Sequence, residues 1–185
     1  MSPLARKIHP ALLLAAGILL SACASLQPQD FAHSPSHFEL DRYFVGHNRS
    51  WGLFENTSGQ PQRAFVCDSY GRRDAAGDLV LTQHFRFSNG KAQERLWHIH
   101  RVDTTHWDAT ANDMIGIAHG QAEGNALYWE YTITLDRKNP LATVHIRQWI
   151  YQIEGTTTLM THLIITKLGL PVFEVSETIH PVTAP

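Results

Sequence analysis

The sequence predicts an all-β domain, an antiparallel barrel of eight to ten strands, carried behind a short export leader. Three observations point there. Turn residues punctuate the chain densely and evenly, at Gly46, Gly59, Gly71, Gly77, Asn89-Gly90, Gly120, Gly124-Asn125, Asn139-Pro140, Gly155 and Gly169-Leu170-Pro171. The runs between them, roughly 5 to 12 residues each, are rich in Val, Ile, Thr, Phe, Tyr and Trp, the side chains that suit a pleated surface. No run has the apolar spacing of a long amphipathic helix. An antiparallel sheet of this length satisfies its edges most readily by closing on itself, and eight strands already leave an interior that side chains fill or one small ligand occupies.

Residues 1–22 have the layout of an export signal. Arg6 and Lys7 form a positive start, Ala11 to Leu20 an apolar run, and Ser21-Ala22 a small pair. The run is shorter than the roughly 20 residues a membrane-spanning helix needs, so cleavage rather than anchoring is expected. Leu20-Ser21-Ala22-Cys23 resembles the lipobox of bacterial lipoproteins, in which the cysteine is acylated and becomes the new N-terminus. Several acyl chains on one residue make a durable tether where one is marginal. By the same resemblance, Ala24 rather than an aspartate after the cysteine implies the periplasmic face of the outer membrane. Residues 23–37, polar and holding Pro28 and Pro35, read as the lipidated tether, and 38–185 as the barrel domain.

Removing 22 of 185 residues leaves 163, and losing Arg6 and Lys7 takes the formal charge from −2 to −4. A mildly acidic domain without a Lys/Arg cluster lacks the footprint that grips phosphate backbones, so no nucleic-acid partner is expected. With Cys23 acylated, Cys67 is the one remaining thiol and no internal disulfide forms. Following Phe65 and Val66 in a strand-like run, it reads as a small buried hydrophobe.

Asp41 to Phe44 reads as a single helical turn closing one end. The hairpin around Asn89-Gly90 is predicted in register, because one pairing puts apolar residues together on both strands. A three-residue loop Ser88-Asn89-Gly90, with Gly90 left-handed, sets Phe87 against Lys91, Phe85 against Gln93, Gln83 against Arg95, Leu81 against Trp97 and Leu79 against Ile99. Gln83 and Arg95 then form an isolated polar pair on a buried apolar face. They must bond each other, another interior group or a ligand headgroup. Trp129, Tyr131, Ile133 and Leu135 alternate with Tyr128, Glu130, Thr132 and Thr134 in a strand with one buried face. Around Arg147 to Tyr151 both faces carry apolar groups, which leaves inside and outside open and suggests a bulge. Gly116 to Gly124 reads as a glycine-containing stretch between strands.

His98-x-His100 has the spacing for two imidazoles on one strand face, but the register turns both to solvent and supplies no third ligand. Asp113 and Glu123 fit turn or surface roles. There is no G-x-S-x-G elbow, no H-E-x-x-H and no phosphate loop ahead of a helix, so no catalytic, metal or cofactor residue is assigned.

Phe38-x-Leu40, Tyr43-Phe44-x-Gly46, Trp51-Gly52, Phe85-x-Phe87-x-Asn89-Gly90, Arg95-x-Trp97, Ala111-x-Asp113, Gly116-x-Ala118-x-Gly120, Gly124-Asn125-Ala126, Trp129-x-Tyr131 and Lys167-x-Gly169 resemble a family of bacterial lipoproteins known as a domain of unknown function. The resemblance implies a lipocalin-like barrel in a proteobacterial envelope, often encoded beside a cyclopropane-fatty-acid synthase, and hence lipid biology. The chain departs from that pattern at Arg147 and Gln148, where two aspartates are expected before Trp149, and at Thr161, where an asparagine is expected.

The expected function is non-enzymatic binding of a lipid or small amphipathic molecule in the barrel, with Trp97, Trp129 and Trp149 lining the cavity. Gln83, Arg95, Asp113 and Lys167 are the candidates to meet its polar head. A small lipid-acting enzyme and an envelope scaffold with a filled barrel are the alternatives.

Overall fold

The computed structural model describes residues 25–136, 138–139 and 141–182; the leader and Cys23 lie outside them. Ten strands follow one another: β1 Gly46–Glu55, β2 Pro61–Arg73, β3 Leu79–Phe87, β4 Ala92–Arg101, β5 His106–Ala111, β6 Met114–Glu123, β7 Ala126–Thr134, β8 Thr143–Gln152, β9 Leu159–Lys167 and β10 Leu170–Pro181. Each pairs antiparallel with its neighbours in the chain, and β1 pairs with β10 to close the barrel. Every strand thus finds both partners within residues 46–181, so the barrel has no open edge and is a self-contained folding unit.

The Asn89-Gly90 hairpin has the predicted register. Leu79, Leu81, Gln83 and Phe85 face Ile99, Trp97, Arg95 and Gln93, Phe87 N–H donates to Lys91 O at 2.9 Å, and Gly90 takes a φ of 81°. The stretch from Gly116 to Gly124, expected between strands, instead lies within β6 and its turn. Gly116 there has a φ of 75°, beside a register shift between Ile115 and His119. Its glycines and alanines are strand residues because neighbouring side chains fill the space. A Cβ on Gly120 would sit 2.5 Å from the Trp129 ring.

One end of the barrel is plugged by the predicted turn, α1 Leu40–Tyr43. Leu40 and Phe44 are buried in the main core. The Tyr43 hydroxyl donates to Thr157 O at 2.6 Å, and Asp41 accepts from Arg73 at 3.0 Å and from Arg101 at 2.7 Å. The plug presses so closely on β2 that a Cβ at Gly71 would lie 1.8 Å from the Phe44 carbonyl oxygen.

Ahead of it, inside the stretch expected as tether, Pro28–Phe31 forms a 3-10 turn docked outside β6 and β7. Phe31 packs against Trp149 and Tyr151 at 5.6 and 5.5 Å between ring centroids. This explains the two apolar faces of β8. Its outer aromatics are covered by that turn, and β8 pairs on both sides without a bulge.

Candidate functional site

Alternation along the strands sends one side chain in two into the barrel, and the interior is not filled. A cavity of about 400 Å³ remains, within the ordinary range of small-ligand sites. Leu40, Phe44, Ile99 and Ile179 form its floor at the plugged end. The opposite end is the mouth, where β2, β4, β8 and β10 begin and β1, β3, β7 and β9 finish. Lys167 lies there, and eight residues separate it from Leu159 near the plug. That is ~26 Å of strand, or about 20 Å of barrel axis at a typical strand tilt.

A band of polar groups crosses the middle of this apolar space, and each finds a partner in the wall. Arg95 donates through Nε to both Asp113 carboxylate oxygens at 3.0 Å and through Nη2 to Oδ2 at 2.8 Å. Trp97 Nε1–H donates to Gln83 Oε1 at 2.7 Å. The Tyr131 hydroxyl donates to Gln148 at 3.1 Å, and Thr161 to Glu177 at 3.4 Å. Burial holds the Tyr131 hydroxyl protonated, up to about 12, and raises the Glu177 carboxyl above its ordinary range against the hydroxyls of Ser50 and Thr161.

The sequence-derived set divides. Gln83, Arg95, Trp97, Trp129 and Lys167 all line the cavity. Gln83 and Arg95 face each other in register, yet each bonds a different group, Trp97 and Asp113. Asp113 stands in the β5–β6 turn and reaches Arg95 from there. Trp149 was expected in the cavity and stands instead on the outer face, stacked beside Tyr151 at 5.8 Å and tilted against Tyr128 at 4.8 Å between ring centroids. Its neighbour Gln148 points inward. Aromatic content on both faces hides that phase in the sequence.

Arg63, Gln148 and Glu177 are among the polar cavity residues outside that set. Glu177 and Gln148 had no detectable signal, but Arg63 did, because Arg63, Phe65 and Cys67 share one face by alternation. Arg63 stands at the mouth with its guanidinium carbon 4.5 Å from the Phe54 ring centroid and 4.3 Å from that of Phe87.

Nucleophile and metal candidates lie elsewhere. Cys67 is fully buried, as expected, and burial pushes its thiol up to about 12, which leaves no thiolate at neutral pH. His98 and His100 are exposed on the outer face, and His100 bonds Asp78 at 2.8 Å. Among the described residues no group of three His, Cys, Asp or Glu side chains is placed to hold a metal.

Several solved structures share this fold. The S-type phycobiliprotein lyase CPES from Guillardia theta aligns with a TM-score of 0.58 and 12% identity, over 78% of this chain and 92% of that one. A protein of unknown function of the DUF3598 family from Nostoc punctiforme aligns at 0.58 and 11%, over 80% of this chain and 50% of that one. Rv2717c from M. tuberculosis aligns at 0.54 and 14%, over 76% and 94%. At such identities the likeness is one of fold, that of a lipocalin-like barrel. No curated protein matches the chain in sequence. The profile of a family described as protein of unknown function, DUF3833, covers residues 17–180. With nearly the whole barrel inside that match, the chain belongs to the DUF3833 family.

Proposed function

We propose that the protein is a lipoprotein of the outer membrane, held at the periplasmic face through acylated Cys23, whose barrel takes up one lipid or similar amphipathic molecule. The observation that carries this is the cavity, about 400 Å³ deep inside a closed barrel, walled by aromatic and aliphatic side chains and open at one end. Burial of apolar surface there supplies the affinity, and the few polar groups set the orientation. The cavity argues against a purely structural, filled barrel.

The test is native mass spectrometry with lipid extraction on residues 25–185, purified without detergent. A fatty acid or phospholipid near one per chain is expected. A protein that emerges empty and takes up no added fatty acid overturns the reading.

A further inference from the structure

Resting on that reading of the cavity, we propose that the ligand is a single-chain amphiphile with an anionic head. The head sits at the mouth between Arg63 and Lys167, and the hydrocarbon tail runs inward past the polar band. The charges along the barrel axis carry the orientation. Halfway down, the Arg95 guanidinium is already occupied by the Asp113 carboxylate through three contacts of 2.8 to 3.0 Å. Glu177 stands at the same depth, where burial favours its uncharged form. An anion at that level meets no uncompensated positive charge, so the interior suits a neutral tail.

The mouth is different. Among the described residues neither Arg63 nor Lys167 has an ion-pair partner. The carboxylates nearest the rim on β1 and β10, Glu55 and Glu174, alternate to the outer face, where Glu174 bonds His162 at 3.2 Å. Arg63 is also built to hold a head. Phe54 and Phe87 cover its guanidinium, so its N–H edge is the part left to bind. Its Nε is buried without an acceptor, a state that an oxygen entering the mouth relieves. A planar guanidinium edge matches the paired oxygens of a carboxylate or phosphate, and Lys167 adds a second positive charge.

Size selects one chain. At about 400 Å³ the cavity is near the lower end of ligand sites. The β9 wall beside it, about 20 Å along the barrel axis, exceeds the ~15 Å thickness of one leaflet's hydrocarbon, half the bilayer core.

The experiment titrates residues 25–185 with dansyl-labelled undecanoic acid and with its methyl ester, reading energy transfer from the tryptophans, of which Trp97 and Trp129 line the cavity. The acid is expected to bind about tenfold or more tightly than the ester, a preference that added salt weakens. In the Arg63→Met/Lys167→Met double variant the acid's preference over the ester should be lost, with the acid weakened far more than the ester. Arg63→Lys, which keeps the charge and loses the fork, should retain part of the preference and serves with Lys167→Met if the double variant does not fold.

Displacement by oleate against oleoyl lysophosphatidate tells a carboxylate head from a phosphate head. If both probes bind and the variants keep the full preference for the acid, the head lies elsewhere and this proposal fails while the cavity reading stands. If neither probe binds the unaltered protein, the cavity reading fails and this proposal with it.

Discussion

Glu177 shows how one side chain ties stability to the cavity. Its carboxyl is raised by burial, with only the Ser50 and Thr161 hydroxyls and the field of Arg95 acting the other way. A group whose folded pKa lies above its unfolded value near 4.3 holds more protons in the native state between those two values. Stability therefore falls as pH rises through that window. Glu177→Gln keeps the shape and removes the ionisation. It is expected to be more stable than the parent near neutral pH, with the gap closing as pH approaches about 4, in urea melts across that range. A parent that gains stability with rising pH relative to the variant contradicts this account. None of this was legible from the residue types, because a glutamate in Glu-Val-Ser-Glu-Thr reads as surface until the register with Thr161 and Gly52 turns it inward. Gln83 and Arg95 were legible as inward-facing because a single hairpin fixes their register. Their actual partners were not, since Asp113 comes from a later turn.

Among the elements, the plug is the one whose tolerance is narrowest. Leu40–Tyr43 is a single turn, too short to be stable alone, and it persists because its ends are bonded to β2, β4, β10 and the β8–β9 turn. Gly71 is the point of closest approach. Its missing Cβ is filled by the Phe44 carbonyl oxygen, a backbone atom with no rotamer to yield. Gly71→Ala is expected to destabilise the barrel by about 1–3 kcal/mol, the usual range for overpacking. Thermal unfolding measures that loss, and unchanged melting would show that the plug shifts freely. The 3-10 turn at Pro28–Phe31 works differently, through aromatic cover on Trp149 and Tyr151 rather than through the backbone. Periodicity finds strands and single turns well. It cannot report that an outer aromatic stripe is covered by residues more than a hundred positions earlier.

The whole molecule joins two features that the chain writes in separate places, the acylation site proposed at Cys23 and a barrel with one plugged end and one open end. If the tether is lipid, Cys23→Ala should move the protein from the membrane fraction to the soluble one, with the barrel's melting temperature unchanged, because every strand partner lies within residues 46–181. Fractionation with a melting curve checks both halves of that statement. Local alternation and turn chemistry are enough to read the all-β class, the strand punctuation, the plug turn and one complete hairpin register. Folding in three dimensions is what closes the barrel at ten strands, turns Trp149 out and Gln148 in, and sets Asp113 on Arg95 while, among the described residues, Arg63 and Lys167 have no ion-pair partner. The physical reason is that closure brings strands distant in sequence onto one interior. The sign and solvation of a charge there depend on neighbours that local spacing does not encode.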